Sequence, residues 1–179
     1  MKTPVDIVIG RYFGELLNEA KFDLAEEILT PDFKFFGPVS QHGGLDAEGL
    51  AGFVRMLRRA FPDKYFVELE RFGDGARICS RFRMTGAHLG PFQGIPPTRG
   101  KIFVEGVDVF NIRDGKIARV YAYFDLMTIM TQLGAAPDMT ISFGESNKSN
   151  QARAEQPVAA EEQPEETLVA CEGAASAER

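Results

Sequence analysis

Two residues interrupt rows of apolar side chains in a way that could support chemistry. Counting by twos toward the C-terminus, one row runs Ile102, Val104, Gly106, Asp108, Phe110, Ile112. On a strand these side chains share a face. A carboxylate among them is costly to bury unless it is partnered. Desolvation would raise its pKa toward neutrality, where a carboxyl group can take up and return a proton. The bland alternatives are a buried Asp held by backbone or tyrosine donors, or a face turned to solvent. The second row is Ile78, Ser80, Phe82, Met84, Gly86, His88. His88 is there either as a hydrogen-bonded wall residue or as a group that touches substrate. The other histidine, His42, falls in "SQHGG" and reads as a loop residue. Two histidines so far apart, without clustered acids, predict no metal site.

Asp125 is a third candidate. It follows Tyr121 and Tyr123 by alternation, whereas Ala118, Val120, Ala122 and Phe124 take the opposite face. Alternation alone does not say which set faces inward, because a bulge switches parity. Asp125 also stands immediately before "LMTIMTQLG", the position of a helix N-cap. Arg77, Arg81 and Arg83 lie on one face with Glu68 and Glu70 on the facing segment, the pattern of cross-strand ion pairs on a solvated surface. No nucleophile motif and no phosphate-binding loop is present.

These residues need elements to hold them. Apolar positions at Val5, Val8, Ile9, Tyr12, Phe13, Leu16 and Leu17 predict a helix from Pro4 to about Ala20. Asp23 is expected to cap a short helix, "LAEEIL", that Pro31 stops. "DFKFF" reads as a short strand, and Asp46 as the start of a helix with Leu50, Phe53, Val54 and Leu57 on its face. After Pro62 the period changes to two. "GDG" and "RDG" each separate two strand-like runs, predicting two hairpins. Helices followed by long antiparallel strands make an α+β layout. A curved sheet with helices on one face encloses an apolar cone, a natural small-molecule site.

Composition limits the classes further. The chain has 179 residues and a net charge of −6. Eight acids against three bases fall between Gly144 and Arg179, so residues 1–143 are nearly neutral. That balance offers nothing to nucleic acid or to an anionic membrane. We expect one domain at 1–143 and a disordered acidic tail at 144–179, poor in apolar residues. The N-terminus does not read as a signal peptide, and no run reaches a membrane span. Cys79 and Cys171 fit no disulfide framework. The expected location is cytoplasmic.

The stretches "GAHLGPFQGIPPTRGK", "VDVFNIRDGKI" and "FDLMTIMTQLG" resemble the SnoaL-like polyketide cyclases, a branch of the NTF2-like superfamily. The resemblance covers about Val5 to Gly134. It implies an NTF2-like cone, a homodimer through the sheet, no cofactor and a hydrophobic small-molecule substrate. It also implies aldol-type ring closure by acid/base chemistry. The position of the family's acid/base Asp is occupied here by Ala122, and neighbouring polar positions by Val120, Gly106 and Phe35. The base is therefore expected one strand over, at Asp108, assisted by His88. Phe35, Phe53, Phe82, Met84, Val104, Gly106, Val120, Ala122 and Tyr123 are expected to line the substrate site. The competing expectation is a non-catalytic pocket that binds or carries a lipophilic molecule.

Overall fold

The computed structural model describes residues 3–40 and 43–135. His42, Cys171 and the predicted tail lie outside the described residues. The chain opens with α1 (Pro4–Arg11), started by a capping box in which Thr3 and Asp6 exchange hydrogen bonds. The helix then widens into π-helical turns over Tyr12–Glu19 and stops at Ala20, whose φ is 57°. Tyr12, Phe13, Leu16 and Leu17 all lie in the core. Lys64 donates its ammonium to the Leu17 carbonyl, one of the acceptors a helix end leaves over. Burial lowers the Lys64 pKa to about 8, and the nearby Arg58 charge adds to the shift.

The short helix differs from expectation. Phe22–Leu24 form a 3₁₀ turn and α2 covers only Ala25–Ile28, with no side-chain cap from Asp23. Strand β1 (Leu29–Phe36) follows at once, so Pro31 sits inside a strand and does not stop a helix. It is tolerated because β1 is an edge strand. Asp46 caps α3 (Ala47–Ala60), accepting from the Gly49 N–H at 2.9 Å.

The predicted hairpins are β2 (Tyr65–Gly73) with β3 (Arg77–Ala87), and β4 (Lys101–Arg113) with β5 (Lys116–Phe124). Asp114 and Gly115 turn the second hairpin with φ of 52° and 73°. The five strands form one curved sheet in the order β1-β5-β4-β3-β2. All its pairings are antiparallel except β1 with β5, which is parallel. Finally α4 (Leu126–Gln132) is capped by Asp125, which accepts from the Thr128 hydroxyl at 2.6 Å and from the Thr128 N–H at 3.0 Å, bonds that hold its pKa down in that order.

Each sheet edge is met at one residue. At β1, Phe35 exchanges two backbone hydrogen bonds with Leu45. At β2, the Asn18 amide accepts from Phe66 N–H at 2.7 Å and donates to Phe66 O at 2.9 Å, as a neighbouring strand would. The helices and the inward strand positions share one core. Part of it is an aromatic cluster, with Tyr12 edge-on to Phe110 at 5.2 Å and to Phe13 at 5.4 Å. Among the described residues no helix is long and apolar enough to cross a membrane. Replacing Asp125 by Ala is expected to cost about 1 kcal/mol, read by urea unfolding. A change within error would show that α4 is held by packing alone.

Candidate active site

The core contains a narrow cavity walled by the first helix, β1, α3, the sheet and α4. Its volume is about 40 Å³, room for a few waters, so a ring system enters only by displacing its walls. Phe35, Phe53, Phe82, Met84, Val104 and Ala122 all line it, as does Asp108. Tyr12 supplies a second polar group, and the rest of the wall is apolar.

Asp108 stands near the middle of β4, paired to Ser80 on β3 and to Ala122 on β5. It is 3 % exposed, and its Oδ1 has no hydrogen-bond partner among the described residues. Burial lifts its pKa to about 8, and the Glu68 carboxylate adds to the rise. The group can therefore hold or release a proton near neutral pH. Tyr12 is also buried, and its pKa is pushed well up, first by burial and then by the charge of Asp108. Its phenol stays protonated and can donate. Nothing in the residue pattern signals this role, because Tyr12 falls at an ordinary core position of the helical spacing.

Three expected wall residues do not line the cavity. Tyr123 is 65 % exposed on the outer face of the sheet. The parity of β5 puts Ala122 inside, and Tyr123 must then point out. Val120 is fully buried in packed core. Gly106 lies behind the wall: a Cβ there would meet Phe82 Cζ and the Tyr123 carbonyl at 2.7 Å, so its lack of a side chain lets the Phe82 ring lie against the strand.

His88 likewise lies outside the cavity lining. Its ring sits against Phe61, with centroids 5.3 Å apart, and edge-on to Phe92. Its Nδ1 accepts the Thr98 N–H at 3.2 Å and lies 3.1 Å from Thr98 Oγ1. The Nε2 atom is buried without a partner. Burial lowers the imidazole pKa, which keeps the ring neutral. The geometry is that of a latch: backbone bonds from His88 to Gly100 and from Arg99 to His88 close the "IPPT" loop beside it. Phe92, in the same loop, does reach the cavity.

The expected surface ion pairs form in part, because a bulge after Glu68 turns Glu70 outward while Glu68 stays on the inward face. Glu70 faces outward to Arg81 at 2.7 Å, and Arg81 and Arg83 also bind Glu105. Glu68 instead points inward, where it takes the Ser80 hydroxyl. Among the described residues no group of three His, Cys, Asp or Glu could hold a metal ion.

The sequence model of the SnoaL-like polyketide cyclases matches residues 7–133. The chain belongs to that family. It is 27 % identical to the aklanonic acid methyl ester cyclase of Streptomyces peucetius over 75 % of this chain and 92 % of that one. It is also 27 % identical to the nogalonic acid methyl ester cyclase of Streptomyces nogalater, over 65 % and 88 %. A crystal structure assigned to the SnoaL-like polyketide cyclases, from Jannaschia sp. CCS1, superposes with a TM-score of 0.68 at 28 % identity. That match covers 76 % of this chain and 95 % of the other.

The raised Asp108 pKa has a thermodynamic signature. The folded state binds this proton more tightly than the unfolded chain, whose carboxyl titrates near the model-peptide value of about 3.9. The stabilisation is complete below that value and is lost as pH rises to about 8. In urea unfolding, Asp108→Asn is expected to gain on the wild type across this window and then level off. A difference independent of pH would contradict the buried, proton-binding carboxyl.

Proposed function

We propose that the protein is a cofactor-independent cyclase or isomerase of a hydrophobic, polyketide-like carbonyl compound, working in the cytoplasm, with Asp108 as its base. The observation that carries this reading is the unpartnered carboxyl group in an otherwise apolar cavity. Membership of a cyclase family supports the substrate class. Ionised Asp108 would remove a proton from a carbon flanked by carbonyls. Tyr12 would donate to the enolate oxygen as charge develops there. The enolate carbon would then bond to a second carbonyl carbon, and Asp108 would return its proton to the resulting alkoxide. No electrons are exchanged with a cofactor, and the proton is conserved over the cycle. His88 acts at one remove, by holding the loop that carries Phe92.

A second reading, a pocket that binds or carries a lipophilic molecule without turning it over, draws on the dryness of the wall at Phe35 and Ala122. The two readings separate at Asp108. With aklanonic acid methyl ester or a related polyketide ester as probe, Asp108→Asn is expected to lower turnover by about 10²–10⁴-fold, with the fold intact by circular dichroism. Because the base must be ionised, kcat/KM of the wild type is expected to climb with pH and level off near 8. Tight binding without turnover, unaffected by Asp108→Asn, would favour the carrier.

The homodimer belongs to this proposal too. Tyr65, Phe72, Phe103 and Tyr123 are exposed large side chains of the sheet strands. Pairing of two copies there would cover them. Light scattering is expected to give twice the chain mass for the wild type, and a single chain mass for Phe103→Glu with Tyr123→Glu.

A further inference from the structure

Behind Asp108 runs a row of polar side chains that the chemistry above leaves unused. Ser80, fully buried, stands directly across from Asp108 in the β3–β4 register. Its hydroxyl donates to Glu68 Oε1 at 2.7 Å. Glu68 faces this way by regular alternation from Phe66, paired with the inward Phe82, and the bulge that follows it turns Arg71 inward beside it. Arg71 grips the same carboxylate, with Nε 2.7 Å from Oε1 and Nη2 on Oε2. The guanidinium continues to Asp6, reaching its Oδ1 at 2.9 Å and its carbonyl at 3.1 Å. Asp6 is in turn the acidic member of the capping box that begins α1. The row thus alternates in sign from the helix N-terminus to the back of the cavity.

Little else near Asp108 carries charge. From the first helix it meets the neutral phenol of Tyr12, and from β5 the methyl of Ala122. The cavity walls from α3 and α4 are Leu50, Phe53, Leu57, Leu126 and Ile129. Cys79, next to Ser80 on β3, is a thiol whose pKa is raised by burial and then by the charge of Asp108, so it stays neutral. The charged side chains on the inward face of the neighbouring strands are therefore Glu68 and, bound to it and opposite in sign, Arg71. Charges separated by protein interior interact more strongly than in water.

We propose that Glu68 is a positioning residue for Asp108: fixed by Ser80 and Arg71, its negative charge makes Asp108 a stronger base than burial alone would, and Arg71 limits the effect. The functional meaning rests on the reading of Asp108 as a base. Basicity matters because a carboxylate in its ordinary range is a poor match for a carbon acid, and proton transfer improves as the two approach. Glu68 thus tunes the site without touching the substrate.

The test reads the titration of Asp108 itself, by carbon-13 NMR of side-chain carboxyl groups, with the signal assigned by its loss in Asp108→Asn. Glu68→Gln keeps the shape of the side chain and an acceptor for Ser80 but removes the charge. It is expected to move the Asp108 midpoint down, by about tenfold in ionisation constant. Arg71→Gln leaves Glu68 uncompensated and is expected to move the midpoint up. Opposite displacements cannot come from general loosening of the fold, which would let water in and lower the midpoint in both variants. Midpoints that stay put, or move together, would overturn the proposal. If Arg71→Gln does not fold, Ser80→Ala serves: freeing Glu68 should lower the midpoint by less than Glu68→Gln does, and an equal or larger fall would count against the idea. Where turnover is measurable, the rising limb of kcat/KM should shift with the midpoint. Opposite NMR displacements in a protein without turnover would refute the cyclase reading and leave the role of Glu68 standing; turnover with a fixed midpoint would do the reverse.

Discussion

Enclosing a carboxyl group in an apolar cavity costs free energy, and the surrounding structure must hold it there against that cost. A carboxylate taken out of water without a partner is unfavourable by several kcal/mol or more. The protein meets this cost partly by keeping Asp108 protonated and partly by giving the side chain no way out. Its strand is paired on both sides, to β3 and to β5, so rotating the residue would break two ladders. Two residues earlier, Gly106 brings the Phe82 ring close against the same strand. The energy comes from the apolar core around it, where a fully buried Phe or Leu contributes about 1.5–3 kcal/mol.

The apolar interior divides its labour. Aromatic edges around Tyr12, Phe13 and Phe110 fix the phenol of Tyr12 as a by-product of packing. Elsewhere, the loop following β3 is shut by the His88–Thr98 pair. A neutral imidazole suits that task, since its Nδ1 must accept the Thr98 N–H and a protonated ring could not. Histidine and carboxylate, which looked from the sequence like partners in one reaction, are separate devices. One shapes the enclosure and the other faces into it.

Regular alternation made much of this legible. The row from Ile102 to Ile112 is unbroken, so Asp108 could be placed among apolar neighbours before any coordinates were known. The hairpin turns and the Asp46 and Asp125 caps follow from local backbone chemistry and needed no tertiary information. What stayed hidden depends on contacts between distant segments. A run of mixed charges hides both the inward turn of Glu68, which is partly buried, and the bulge after it that sends Glu70 out and Arg71 in. Parity at β5 was ambiguous by one residue, and that residue decides between Ala122 and Tyr123. Tyr12 gave only a helical spacing, which cannot tell a core tyrosine from one whose hydroxyl meets a cavity. Pro31 argued for a helix stop, and the edge position that lets a strand accept it is a property of the whole sheet.

The guarded sheet margins have a consequence for assembly. An unprotected outer strand invites continuous pairing from chain to chain, the first step toward insoluble fibres. Here Leu45 occupies one rim, where Pro31 also withholds an N–H, and the amide of Asn18 imitates a peptide group at the other. Copies that meet at high concentration are steered away from zipping side by side, and a closed, finite complex becomes the easier outcome.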